Sequence, residues 1–277
     1  MRRKLIPQGR GGSLTLYLPK KWLDERGLAA GAEVEVREEG AGLTVAPAGK
    51  MPRREKVLAI TQDTSLRLRT LLATAYRCGY ERIVLEGERL SMATVQEIAE
   101  SLPGFMVVEE GTSRIVIENL VEEHVEPPER ILRRLFHRIA YFLQATMSCA
   151  PEVETLRRSI FQLRDYAQRA IFVTGYGDDH RYEWYVLIFL AEKIAGNYYD
   201  ASVAKKVPQR VLEEYAGQYQ QAIDALYRKD ASAAIALANS LSSRRKQLYR
   251  AGAQQPLLGA LHENLFSFAS RVAGLLT

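Results

Sequence analysis

The first fifty residues show the alternation of apolar and polar side chains that is typical of half-buried strands. It occurs over 14–18 and on the two arms of a predicted hairpin over 34–45. Pro19 ends the first strand and is well placed to begin a short helix over 20–26. So few residues cannot bury a stable core alone, so the domain predicted over 1–49 is expected to need a partner chain.

The pattern changes after a linker rich in proline, glycine and basic residues over 46–55. Strand and helix patterns then follow in the order βαβαββ, and the last two strands form a hairpin. This order predicts a small α/β domain over 55–121, with helices on one face of its sheet. Ser91 is expected to cap the second helix.

Apolar residues at helical spacing dominate the rest of the chain, from 122 to 277. Their lengths and short connections predict six helices packed as antiparallel bundles. The helices are expected near 128–148, 151–174, 180–206, 208–228, 230–251 and 256–277. The fold class is therefore multidomain: an N-terminal all-β domain, a small α/β domain and a C-terminal all-α helical bundle.

The composition, 47% hydrophobic and 26% charged, is that of an ordinary globular protein. No run approaches the roughly 18 apolar residues of a membrane span, and no apolar segment of a signal peptide follows the basic N-terminus. A cytoplasmic protein is expected. Cys78 and Cys149 form no CxxC or zinc-ligand spacing, so both are expected to be packed thiols.

Six basic residues precede the first carboxylate of the chain, Asp24. They are Arg2, Arg3, Lys4, Arg10, Lys20 and Lys21. Glycines interrupt this run, but neither GxxxxGK[ST] nor a GxGxxG that opens a helix is present, which argues against a nucleotide phosphate loop. Such cations can displace counterions from DNA phosphates; the plainer interpretation is a solvated basic edge that discourages strand aggregation.

The stretch GGSLTLYLPKKWLDERGLAAGAEVEVREEGAGLTVAP, over 11–47, resembles the SpoVT/AbrB swapped-hairpin domain of bacterial transition-state regulators and MazE-type antitoxins. The resemblance lies in a strand, then LPKKW over 18–22, then glycine-containing turns before Val34 and Val36. It implies that two chains exchange hairpins to close one small barrel, whose loop cations contact DNA. By position it assigns DNA contacts to Arg2, Arg3, Lys4, Arg10, Lys20 and Lys21, with Arg10 the strongest candidate.

The remainder resembles archaeal proteins in which such a domain precedes a PhoU-like helical region. The segments that carry this resemblance are CGYERIVLEG, ESLPGFMVVEEGTSRIVIENL and QAIDALYRKDASAAIALA. Those proteins are named phosphate-uptake regulators by analogy with bacterial PhoU, a helical accessory of phosphate transport.

PhoU bundles generally bind iron or zinc clusters through E(D)xxxD motifs, whose two carboxylates share one helix face. The corresponding sites here depart from that pattern. Asp165 is followed four residues later by Arg169, and Glu192 by Gly196; the third site has no carboxylate and the fourth has only Glu263. Asp165 and Arg169 are expected to form an ion pair on the helix surface, and neither a metal nor another cofactor is expected.

Nothing in the sequence favours catalysis. Ser159 and Ser267 lack an arguable base partner, the histidines show no HxH or HExxH spacing, and TGYGDDH over 174–180 is expected to be a turn. The leading hypothesis is a homodimeric DNA-binding protein, not an enzyme, that regulates transcription. The alternative is a PhoU-type accessory of phosphate-transport signalling, with or without metal, whose helical region binds a protein partner.

Overall fold

The structure, a computed structural model, falls into two compact units, Met1–Arg53 and Arg54–Thr277, which are called the N-terminal unit and the C-terminal unit. It describes residues 5–8, 13–39, 42–48, 54–61, 67–88, 90–121, 126–205, 207–251 and 256–277.

The N-terminal unit contains two separate two-stranded antiparallel sheets and one short helix. In chain order its elements are β1 (Ile6–Gln8), β2 (Ser13–Thr15), α1 (Lys20–Glu25), β3 (Val34–Glu39) and β4 (Gly42–Pro47). The predicted helix after Pro19 and the hairpin of β3 and β4 are confirmed. The first strand is shorter than predicted, because its pairing ends where Thr15 lies opposite Ile6.

The C-terminal unit begins with the predicted βαβαββ order, which is confirmed. Its elements are β5 (Glu55–Ile60), α2 (Leu68–Arg77), β6 (Arg82–Gly87), α3 (Met92–Glu100), β7 (Phe105–Glu109) and β8 (Arg114–Asn119). The strands form one sheet in the order β5-β6-β8-β7, in which only β5 and β6 are parallel. The cap at Ser91 is also confirmed, since its hydroxyl accepts a hydrogen bond from the backbone N–H of Thr94 at 3.4 Å.

One face of this sheet and both of its helices share a core. Alternate residues of the central strands, such as Ile83 and Leu85 on β6 and Ile115 and Ile117 on β8, are fully buried there. Leu72, Tyr76, Val95 and Ile98 pack against them from α2 and α3. The apolar face of the strands, which has a period of two residues, therefore packs against the apolar faces of the two helices in one layer.

Six long helices follow, as predicted, and each lies within a few residues of its expected range. They are α4 (Pro128–Met147), α5 (Val153–Thr174), α6 (Arg181–Val203), α7 (Gln209–Arg228), α8 (Ala231–Ala251) and α9 (Pro256–Leu276). Gly175, in the left-handed region at φ +71°, ends α5. Asp230 caps α8 through a 2.9 Å hydrogen bond that its carboxylate accepts from the Ala233 N–H.

The helices enclose a continuous core. Helix α4 packs on α5, α6 and α7, while α9 packs on α6, α7 and α8. The rings of Phe136 and Phe268 meet edge to face at 5.7 Å and so join α4 to α9. Small β-sheets in the N-terminal part and a helical C-terminal region are thus established.

A buried polar cluster joins α5 to the α/β part of the C-terminal unit. The guanidinium of Arg169, 5% exposed, donates hydrogen bonds to the backbone carbonyls of Tyr76 and Tyr80, each at 2.8 Å. It also lies over the Tyr76 ring, 5.0 Å from its centroid. A side chain of the helical region therefore satisfies one carbonyl in the last turn of α2 and one in the segment that follows it.

Asp165 occupies the same contact between α2 and α5 and is only 2% exposed. Its carboxylate lies 2.9 Å from a terminal nitrogen of Arg164 and 3.0 Å from Nε of Arg77. The expectation that Asp165 and Arg169 form a pair on the helix surface is therefore wrong. A spacing of four residues shows that two side chains share a face of α5, but not that α2 covers that face.

Candidate nucleic-acid interface

The N-terminal unit leaves most of its large apolar side chains in solvent. Among its residues with described side chains, Ala46 is the one that is buried, and α1 buries none. The large apolar side chains that are 37% to 63% exposed are those of Leu5, Ile6, Leu14, Leu16, Tyr17, Val34, Val36 and Leu43. The described part of one copy of this unit has no hydrophobic core.

The hairpin of β3 and β4 gathers several of these side chains on one face. Val36 lies opposite Val45 in the register, and Leu43 lies opposite Glu38, so the side chains of Val34, Val36, Leu43 and Val45 project from the same side. We call these four residues the open hairpin face. An isolated two-stranded hairpin is at best marginally stable in water. This face is therefore available to be covered by another chain.

Two of the predicted DNA-contacting residues lie side by side on the first turn of α1. Lys20 and Lys21 are both exposed. Among the described residues, Lys20 has no carboxylate within ion-pair distance, whereas Lys21 Nζ lies 3.9 Å from Glu25 Oε1. Both side chains of this ion pair are exposed to solvent, so the attraction between them is weak. Both ammonium groups can therefore reach an external anion.

Arg2, Arg3, Lys4 and Arg10 lie outside the described residues, so the structure brings together only Lys20 and Lys21 of the six predicted residues. Arg26 is a further exposed cation of the same unit that the sequence reasoning missed. Its guanidinium lies 4.6 Å from the centroid of the Trp22 ring. The spacing of four residues between Trp22 and Arg26 could have indicated this contact, because it places both residues on the same side of α1.

Most of the net positive charge of the chain lies in the N-terminal unit. Residues 1–53 hold ten of the 38 basic residues but only six of the 33 acidic ones. This excess of four accounts for most of the net charge of +5. Residues 54–277 are therefore almost neutral, and attraction of a polyanion falls mainly to the N-terminal unit.

The C-terminal unit offers little metal-site chemistry in the described part of the chain. No group of three or more His, Cys, Asp or Glu side chains there could hold a metal ion. Cys78 is half-buried, but Cys149 is exposed, so the expectation of two packed thiols is wrong for Cys149. None of the described helices is both long enough and apolar enough to cross a membrane.

His262 is a fully enclosed polar residue of the helical core, at 1% exposure. Its Nε2 donates to the carbonyl of Leu241 at 2.9 Å, and its Nδ1 accepts from the hydroxyl of Tyr215 at 2.9 Å. Because a carbonyl can only accept, these partners select the neutral tautomer that is protonated at Nε2. Burial lowers the pKa of His262. Both ring nitrogens are thus used within the core, and the role of this side chain is structural.

Comparison with known proteins finds no match for this chain among protein-family models, curated proteins or solved structures.

Proposed function

We propose that the protein is a homodimeric DNA-binding protein that regulates transcription, and that two copies of its N-terminal unit together form the DNA-contacting surface. The single observation that supports this most is the open hairpin face. A sequence with regular strand alternation folds into a hairpin whose apolar side chains remain in water within one chain. A second copy of the same hairpin supplies a surface of matching chemistry.

The exposed apolar surface of the N-terminal unit supports dimerisation through it. Full burial of a valine or leucine side chain stabilises by about 1.5–3 kcal/mol, and eight large apolar side chains of the unit are substantially exposed. In a two-fold dimer every contact occurs twice. Even partial burial of these side chains is therefore enough to hold two units together against the cost of association.

The positions of the cations support DNA binding. A dimer doubles the six predicted DNA-contacting residues and brings Lys20 and Lys21 of both copies into one assembly. Because each neutralised phosphate releases counterions, six to ten contacts imply a loss of about 10³–10⁵ in affinity between about 50 and 200 mM salt. The resemblance to SpoVT/AbrB domains supports the same use of these residues.

The test compares two double variants of the full-length chain on a labelled DNA duplex at several salt concentrations. Lys20→Ala with Lys21→Ala removes four cations per dimer. The negative slope of log affinity against log salt is therefore expected to become shallower by about 3–4 units. The matched control, Arg158→Ala with Lys193→Ala, removes two exposed cations from the helical region instead. It is expected to leave the slope unchanged.

Equal slopes for the wild type and the Lys20/Lys21 variant would remove these lysines from the interface. No salt-dependent binding by the wild type would refute DNA binding itself. If the same preparation also carried bound iron or zinc, that result would favour the alternative of a PhoU-type accessory acting through protein contacts.

A further inference from the structure

A cavity of about 740 Å³ opens at one end of the helical region of the C-terminal unit. The first turns of α4 and α6, the last turns of α7 and α9, and the loop after α5 surround it. Its size lies within the range of about 300–1,000 Å³ found for small-molecule sites. Neither the sequence patterns nor the proposed DNA contacts assign a role to it.

Aromatic side chains form one wall of this cavity. The rings of Tyr176 and Trp184 lie 5.6 Å apart and are tilted by 50°. Gly177, at φ +91°, allows the loop to approach this wall, since a Cβ atom at that position would lie 2.7 Å from the Trp184 ring. Leu132 and Leu226 add apolar surface beside the rings. This part of the cavity suits a flat apolar group.

Three cations also line the cavity. They are Arg130 and Arg133, on the first turns of α4, and Lys229, just after the end of α7. Among the described residues, no carboxylate forms an ion pair with any of them. The positive dipole ends of α4 and α6 face the negative dipole ends of α7 and α9 at this cavity, so the helix dipoles largely offset one another. The cavity therefore has an unneutralised excess of positive charge.

The one carboxylate of the lining, Glu129, is already engaged. It accepts a hydrogen bond from the Tyr176 hydroxyl at 3.4 Å. Burial, followed by the negative charge of Glu129, raises the pKa of Tyr176 to about 12, so this phenol keeps the proton that it donates. Glu129 thus helps to fix the aromatic wall.

Tyr227 supplies a polar group without a partner. Its hydroxyl is buried and makes no hydrogen bond with the described residues. The guanidinium of Arg133 covers its ring, 4.7 Å from the centroid. A buried hydroxyl without a partner costs stability.

We propose that this cavity binds a small organic anion in which a planar ring is joined to a doubly charged group, the chemistry of a nucleoside monophosphate. The ring lies against Trp184 and Tyr176. The anionic group lies among Arg130, Arg133 and Lys229, because guanidinium groups match the geometry of phosphate oxygens. Three cations against an occupied carboxylate favour a dianion over a single charge.

Trp184 provides the reporter for the test. The chain has two tryptophans, so Trp22→Phe leaves Trp184 as the sole one, in the wall of the cavity. The full-length variant is titrated with adenosine, guanosine, cytidine and uridine monophosphates, with the four nucleosides, and with inorganic phosphate. At least one monophosphate is expected to change the Trp184 emission saturably, and to bind about tenfold or more tightly than its nucleoside or phosphate alone.

A shift in the thermal unfolding of the wild-type chain by the same compounds gives a second readout that does not need the Trp22 substitution. Arg130→Ala and Arg133→Ala are each expected to weaken binding about tenfold, because each removes a charge-assisted contact. The Arg158→Ala with Lys193→Ala control is expected to bind like wild type.

No saturable response to any monophosphate in either readout would overturn the proposal. A nucleoside that binds as tightly as its monophosphate would overturn the assignment of the cations. Phosphate that binds as tightly as the monophosphates would overturn the assignment of the aromatic wall.

Discussion

The substitution Val36→Ser tests whether a second chain covers the open hairpin face. Val36 is 58% exposed in the single chain and lies opposite Val45 in the middle of the hairpin. Serine keeps the backbone hydrogen bonds of β3 but removes both methyl groups. In one isolated chain the change affects mainly a solvated side chain, so little stability is lost there.

The expected effect on association follows from the exposed fraction. Full burial of a valine stabilises by about 1.5 kcal/mol at the lower end of the usual range, so covering the exposed 58% contributes about 1 kcal/mol. A two-fold dimer contains this residue twice, which gives about 2 kcal/mol. The dissociation constant of the dimer is therefore expected to rise about 30-fold.

Sedimentation equilibrium over a range of concentrations measures this constant for the wild type and the variant. Val203→Ser is the matched control, because Val203 is 61% exposed at the end of α6 and belongs to the C-terminal unit. It is expected to leave the dimer unchanged. If Val36→Ser and Val203→Ser dissociate like the wild type, the open hairpin face is not the surface that joins the two copies.

Two further predictions concern the C-terminal unit. Asp165→Ala is expected to lower the free energy of unfolding by about 1.5–3 kcal/mol in chemical denaturation, because it removes the charged hydrogen bonds between Arg164 and this buried carboxylate while Arg164 keeps its contact with Glu192. A loss below about 1 kcal/mol would mean that water reaches this cluster. His262 has a folded-state pKa below its unfolded value of about 6.5, so the unfolded chain binds the extra proton and stability falls as the pH drops below that value, by up to about 1.4 kcal/mol per pH unit. His262→Gln is expected to remove this part of the pH dependence in denaturation curves between about pH 5 and 7, and identical curve shapes for both proteins would contradict the assignment.

The sequence predicted the structure best where apolar residues recur at helical spacing over several turns. Helix α4 repeats apolar residues along a single face, from Ile131 to Leu143, and every one of these positions is buried. The cap at Ser91 was equally predictable, because a serine side chain directly before a helix commonly accepts a hydrogen bond from the first free backbone N–H groups of that helix. Local patterns of this kind do not depend on what packs against them.

Contacts between distant segments could not be predicted in the same way. The burial of Asp165 and Arg169 depends on α2, which precedes them by about ninety residues along the chain. The cavity beside Trp184 forms where four helix ends and a loop meet. These segments are far apart along the chain, so no spacing in the sequence predicts that they come together. Arg130 and Arg133 consequently looked like any exposed cations of an amphipathic helix.

The N-terminal unit shows a different limit. Its alternation predicted the hairpin of β3 and β4 correctly and a longer first strand than the structure contains. The same alternation predicts half-burial, whereas Leu14 and Leu43 remain exposed in one chain. The pattern records which face must be covered and not which molecule covers it. The proposed second copy would cover these side chains.

The most direct test of this account is the mass of the complex between the full-length protein and a short DNA duplex, measured by sedimentation at low salt. Two chains of 31.2 kDa are expected on one duplex, and the complex is expected to dissociate as salt is raised. A protein that sediments as a single 31.2 kDa chain, with the duplex free at every salt concentration, would contradict it.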